Sequence, residues 1–125
     1  MVLLVLESWI LLVYFEFVMR IRDFNALHQR VRDQQVRIMP AVNRLSSGEL
    51  CRSVDLACVF YFRQVLCLQR SAVTTLLLRR HGWPAEMVIG AQIKPPKFHA
   101  WVEIEKTIVN DKLYMLEMYQ VLERC

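Results

Sequence analysis

A chain of 125 residues can bury one hydrophobic core, and 55% hydrophobic content with only three glycines excludes an intrinsically disordered protein. The net charge of +4 comes largely from arginines between positions 20 and 52, which are not interleaved with stacking aromatics. This pattern gives little support to nucleic-acid binding and suits an acidic peptide, anionic lipid or simply solvated helix faces. We expect a single domain over 1–125, with a helical part (1–62) followed by a part that carries the chemistry (63–125).

The first segment, Met1 to Met19, is strongly apolar and is predicted to form a helix. Glu7 and Glu16 interrupt it on opposite sides of that helix, and the charge-free run of residues 8–15 is far shorter than the ~20 residues of a membrane span. We therefore favour a helix packed on the core, with Glu16 paired to Arg20 one turn later. Peripheral membrane contact stays open.

Two further helices are predicted before the midpoint of the chain. The second covers Asn25 to Ile38 and is ended by Pro40. The third begins at a capping box, with Ser46 as N-cap and Glu49 at N3, and runs to about Arg63.

Cysteine and histidine usage bears on metal binding and on the redox compartment. Cys51 and Cys58 are seven residues apart, hence on one helix face, where they are expected to pack in the core. Since no Cys-x-x-Cys pair occurs and the three histidines are scattered, we predict no metal site and no cofactor. A required free thiol and no cleavable signal peptide favour the reducing cytoplasm.

Cys67 opens a predicted helix that ends in basic residues, with Gly82 at the C′ position and Pro84 preventing continuation. A thiol at a helix N-terminus is shifted toward the thiolate, and the unpaired amides there could hold an oxyanion. Gln64 is a further candidate oxyanion donor, or equally a plain helix-end amide. A lone cysteine on an apolar helix is more often a small buried hydrophobe.

His99 and Asp111 belong to a predicted hairpin. His99 starts an alternating strand, with Trp101 and Glu103 on its side and Ala100, Val102 and Ile104 on the other. Residues 107–111 form the returning strand. A two-residue turn at 105–106 would place His99 and Asp111 on opposite faces, so a catalytic triad requires an odd-numbered turn or a bulge. We expect a short helix from Lys112 to Cys125.

Together these residues resemble the leader peptidase of lasso peptide biosynthesis, a bacterial branch of the transglutaminase-like, papain-related cysteine proteases. The resemblance runs from about Arg63 to Asp111 and rests on five stretches: residues 67–71, 77–86, 88–90, 99–103 and 110–111. It implies Cys67 as nucleophile, His99 as general base and Asp111 as the acid that orients the imidazole. Members often carry Asp-Gly at the hairpin turn, where this chain has Glu105-Lys106.

The resemblance implies an α+β fold of transglutaminase-like type, with apolar helices around the Cys67 helix packed on a small antiparallel sheet from residues 85–111. It also implies removal of the leader from a ribosomal precursor peptide, which a small leader-recognition protein presents. The freed α-amine is then joined to a side chain by a separate ATP-dependent cyclase. Two alternatives remain: a non-catalytic membrane-associated scaffold, and an acyltransferase that uses the same triad.

Overall fold

Four helices precede a four-stranded sheet in the computed structural model, which describes residues 2–93, 96–110 and 118–125. The helices are α1 (Val2–Ile21), α2 (Phe24–Asp33), α3 (Ser47–Val59) and α4 (Cys67–Arg80), with one 3₁₀ turn at Ala41–Asn43. The strands are β1 (Ala85–Gln92), β2 (Lys97–Ile104), β3 (Thr107–Ile108) and β4 (Gln120–Arg124). The predicted α+β fold class is confirmed.

The sheet is antiparallel throughout, in the order β3-β2-β1-β4. Alternation in β1 and β2 divides its side chains between two faces. Met87 and Val102 join the main core beneath the helices, while Val88, Trp101 and Ile108 form a smaller cluster on the opposite face. The alternation predicted for residues 99–104 is therefore present, and His99 shares its face with Trp101.

Helix α1 is buried along one side only. Its inward side chains belong to the core (Leu4, Ser8, Leu11, Leu12, Phe15 and Val18), and Arg20 Nε donates to Glu16 Oε2 at 2.9 Å, as expected. Its outward side is apolar but exposed, with Leu3 at 79%, Ile10 at 56% and Phe17 at 57%. By length and composition alone α1 could cross a membrane, a test that a core helix also passes. The expectation of a core-packed helix thus describes only one side of α1.

Helix α2 ends at Asp33, five residues before the predicted end at Ile38. The buried guanidinium of Arg79 donates through Nη1 to the carbonyls of Val31 and Gln34, the latter at 3.1 Å. These are carbonyls that a continuing helix would use, so a tertiary contact replaces the next turn. Helix α3 starts as predicted, because the Ser46 hydroxyl accepts from the Glu49 N–H at 3.1 Å, but it ends at Val59 rather than about Arg63.

The helix predicted for Lys112 to Cys125 is wrong over residues 120–125. Residues 120–124 form β4, which pairs with β1 through a register shift between Ile89 and Gly90. Cys125 continues this pairing, since its N–H donates to the Met87 carbonyl at 2.8 Å. Pairing with the free edge of β1 therefore overrides the local amphipathic pattern. Residues 112–117 lie outside the described part of the chain.

Candidate active site

Cys67 is the first residue of α4, as the sequence predicted, and its side chain is exposed. The preceding residue, Leu66, is extended and supplies no side-chain hydrogen bond to cap the helix. The first-turn amides are consequently left without a side-chain acceptor from the N-cap, and their partial positive charge faces the sulfur. A substrate oxyanion would find donors at this position.

The imidazole of His99 reaches Cys67. A hydrogen bond with His99 lowers the pKa of the Cys67 thiol, and this outweighs the opposite effect of partial burial. Backbone N–H groups of Ala100 and Leu68 also hydrogen bond to the sulfur and favour the thiolate. The two residues that the sequence placed on a helix and a strand thus form one thiol–imidazole pair.

Edge geometry of β2 explains how a helix terminus meets this strand. The backbone carbonyl of Val102 points toward the β3 side of β2, because it accepts from Val109 N–H at 3.0 Å. Since backbone groups two residues apart point the same way, Ala100 turns its N–H toward the same edge, where the Cys67 sulfur lies. The nucleophile therefore sits beside the edge of the sheet rather than over its middle.

The other three cysteines differ from Cys67. All are unpaired. Burial raises the pKa of Cys51 to about 11, and it also raises the pKa of Cys58 and of Cys125. Cys51 and Cys58 lie on α3 and contact the core, as predicted. Cys67 is the thiol whose surroundings favour ionisation.

Asp111, the expected third member of the triad, lies outside the described residues. Of the odd-numbered turn or bulge expected to bring it to His99, the turn is wrong: Glu105 and Lys106 form a two-residue turn with φ of 50° and 68°, flanked by the pairs Ile104–Thr107 and Glu103–Ile108. Strand β3 ends at Ile108, earlier than predicted. The ladder is then interrupted, because Asn110 Oδ1 accepts from Val102 N–H at 2.7 Å in place of a backbone carbonyl.

Arg70 is a residue of this region that sequence reasoning missed. It lies one turn after Cys67 on α4, donates to Asp55 Oδ1 on α3 at 2.6 Å, and reaches the Asn110 carbonyl at 3.4 Å. Arg70 thus ties the nucleophile helix to the residue that immediately precedes Asp111. An arginine three residues after a candidate nucleophile is the only local signal for this role.

Gln64 lies in the exposed segment before α4. It lines a shallow depression together with Asp55, Arg63 and Arg70, and Cys67 does not contribute to that depression. A groove of about 810 Å³ lies elsewhere, between α1 and the α2–α4 side of the molecule. Among the described residues no three His, Cys, Asp or Glu side chains are grouped as metal ligands.

His99 also has aromatic neighbours. Its ring stacks on Trp101, with centroids 6.1 Å apart, and on Tyr119 at 5.5 Å, each with an interplanar angle of 29°. These rings leave an edge of the imidazole for the thiol. The arrangement of an ionisable thiol, an imidazole and helix-terminal amides is the one that covalent acyl transfer requires.

Comparison with known protein families agrees with this chemistry. A family model described as the transglutaminase-like superfamily matches residues 9–124. The match includes Cys67, His99 and most of the four helices. No curated protein and no solved structure matches the chain.

Proposed function

We propose, from the premise that this chain belongs to the transglutaminase-like superfamily, that it is a cysteine peptidase of lasso peptide biosynthesis. Members of this superfamily are typically cysteine proteases or acyltransferases. The proposed reaction removes the leader peptide from a ribosomally made precursor. It frees the α-amine of the core peptide, which a separate ATP-dependent cyclase then uses to close a macrolactam.

One observation carries this proposal: the hydrogen bond of His99 to a thiol at a helix N-terminus, which lowers the pKa of Cys67. In the proposed mechanism the Cys67 thiolate attacks the scissile carbonyl, and first-turn amides of α4 stabilise the oxyanion. His99 then protonates the leaving amine, and Asp111 is proposed to hold the imidazole tautomer. Water, deprotonated by His99, hydrolyses the acyl-enzyme.

Mass spectrometry of precursor cleavage tests the proposal. Cys67→Ala removes the sulfur with little change in volume and should abolish leader removal, while Cys58→Ala, a matched change on α3, should retain it. Asp111→Asn should slow cleavage strongly, because an amide can stabilise the wrong imidazole tautomer. Normal turnover by Cys67→Ala would end the proposal.

The same acyl-enzyme could pass its acyl group to an amine instead of water. Cleavage in the presence of an added primary amine separates the two reactions. Peptidase activity predicts a free carboxylate on the leader, whereas an amine adduct on the leader would identify an acyltransferase.

We also propose that a small leader-recognition protein presents the precursor. A chain of this size has few contacts with which to offset the ordering of a flexible peptide, and a protein that holds both partners raises the local concentration of substrate. The 810 Å³ groove supports docking of such a recognition protein. Apolar side chains of α1 line it beside two arginines: Leu3, Ile10 and Tyr14 with Arg30 and Arg80. We further propose that the reaction takes place in the cytoplasm, because it requires a free thiol.

A further inference from the structure

Trp101 lies between the imidazole and a buried charge. Its side chain is fully buried, stacks on His99, and donates through Nε1 to Glu103 Oε2 at 2.9 Å. Glu103 is also fully buried, and its second oxygen accepts from Arg124 Nη1 of β4 at 2.5 Å. Both carboxylate oxygens are therefore engaged, one by the indole and one by a guanidinium.

A buried carboxylate is costly unless it is paired, so this ion pair fixes where Glu103 can lie. The indole hydrogen bond transmits that position to the Trp101 ring. The Trp101 side chain thus has one conformation in which its N–H is hydrogen-bonded to Glu103. In that conformation the indole ring stacks on His99.

Gly90 leaves room for the ring on the neighbouring strand. It pairs with His99 across β1 and β2. A Cβ on Gly90 would lie 2.7 and 2.8 Å from two atoms of the Trp101 six-membered ring and 2.9 Å from Tyr119 Cβ. Such distances are too short for carbon atoms, so the indole and Tyr119 occupy space that any other residue would fill.

We propose that Trp101 and Glu103 are positioning residues for His99. The inference rests on the proposed function, in which His99 exchanges protons with Cys67. Two aromatic rings restrict the tilt of the imidazole, and the Glu103–Arg124 pair holds one of those rings in place. The faces of these rings also favour the positive charge that His99 carries when Cys67 is a thiolate.

Trp101→Phe tests this proposal, because it keeps an aromatic ring but deletes the N–H that Glu103 holds. Trp83→Phe is a matched control, since Trp83 Nε1 donates to the Leu45 carbonyl at 2.8 Å, away from Cys67. We expect Trp101→Phe to lower kcat for leader removal by roughly tenfold, with KM within about twofold of wild type, because misalignment affects the reacting groups more than substrate binding. Trp83→Phe should change neither.

A second readout does not require the substrate. The pH dependence of Cys67 alkylation reports the thiolate, and its midpoint should move to higher pH in Trp101→Phe and in Glu103→Gln, since a displaced imidazole stabilises the thiolate less. If wild type cleaves no precursor, the alkylation comparison still decides this inference. Glu103→Gln retains side-chain volume and replaces Trp101→Phe in the comparison if the latter fails to fold. Folded variants whose alkylation midpoint and kcat match those of Trp83→Phe would overturn the proposal.

Discussion

At the residue scale, the four thiols of this chain differ because of what surrounds each of them. Cys51 is buried and has a pKa raised to about 11, whereas the hydrogen bond with His99 lowers the pKa of Cys67. An acid whose pKa is lowered keeps its anionic form to a lower pH. Cys67 should therefore remain a thiolate at pH values at which the other thiols are protonated.

This difference predicts selective alkylation. Iodoacetamide at pH 7 should label Cys67 well before Cys51 or Cys58. The labelling rate of Cys67 should also stay high when the pH falls below the pKa of an ordinary free thiol. His99→Ala should remove the advantage, because the largest contribution to the lowered pKa is lost. Peptide mapping by mass spectrometry measures each site. Equal labelling rates for Cys67 in wild type and His99→Ala would contradict the contact as described.

At the element scale, secondary-structure boundaries follow the sequence where local signals act alone. Ser46 caps α3. Gly82, with φ of 90°, lies just after the end of α4, where the basic last turn and Pro84 predicted that this helix would end. The boundaries differ from those predicted where groups distant in the sequence make contact. Arg79 ends α2 from another helix, and β4 forms because β1 offers it an edge.

Prediction of the site was limited in a similar way. The helix of Cys67 and the strand of His99 could be read from local patterns, but their contact was implied only by resemblance, since pairing across 32 positions has no local signal. The hairpin turn contains no glycine or asparagine, so nothing in Glu105-Lys106 indicated two left-handed residues.

That turn predicts a stabilising change. Two non-glycine residues in the left-handed region each cost on the order of 1 kcal/mol, and Asn-Gly is the preferred pair for a two-residue turn of this kind. Glu105→Asn combined with Lys106→Gly should raise the free energy of unfolding by roughly 1–2 kcal/mol. Chemical denaturation followed by circular dichroism measures the gain.

Lys106→Ala is the control for the turn, because it deletes the same side chain but keeps Cβ. It also removes the 3.9 Å contact with Glu86, an exposed ion pair of small value. If Lys106→Ala raised the free energy of unfolding as much as the double variant does, the gain would belong to loss of the lysine side chain rather than to the backbone conformation.

At the scale of the whole molecule, the candidate active site and the 810 Å³ groove lie toward opposite ends of α4. Cys67 begins this helix, while Leu76 and Arg80 line the groove, about 14–20 Å farther along at 1.5 Å per residue. A partner that binds in the groove would leave the thiol accessible. Chemistry and recognition could thus be served by separate surfaces of one small chain.

Separate surfaces predict separable defects. Leu6→Gln with Ile10→Gln, two exposed residues of α1 that line the groove, should leave the melting temperature nearly unchanged. Acceleration of cleavage by the recognition protein should fall by roughly tenfold, as expected for loss of a central apolar contact, while slow cleavage without it persists. Val42→Gln, at a residue that is 91% exposed and does not line the groove, is the control. Unchanged acceleration in the double variant would exclude this side of α1 as the docking surface.

The buried guanidinium of Arg79 has a consequence for how the chain unfolds. Besides the end of α2, it donates to the carbonyls of Ala85 at 2.9 Å and Cys125 at 2.8 Å, so segments from the beginning, middle and end of the chain share one side chain. Detaching any one of them would leave at least one N–H of a buried cation without its acceptor, which makes partial opening expensive. The amide hydrogen exchange rates of α2, β1 and β4 should therefore report the same opening free energy, as expected for a single cooperative unit.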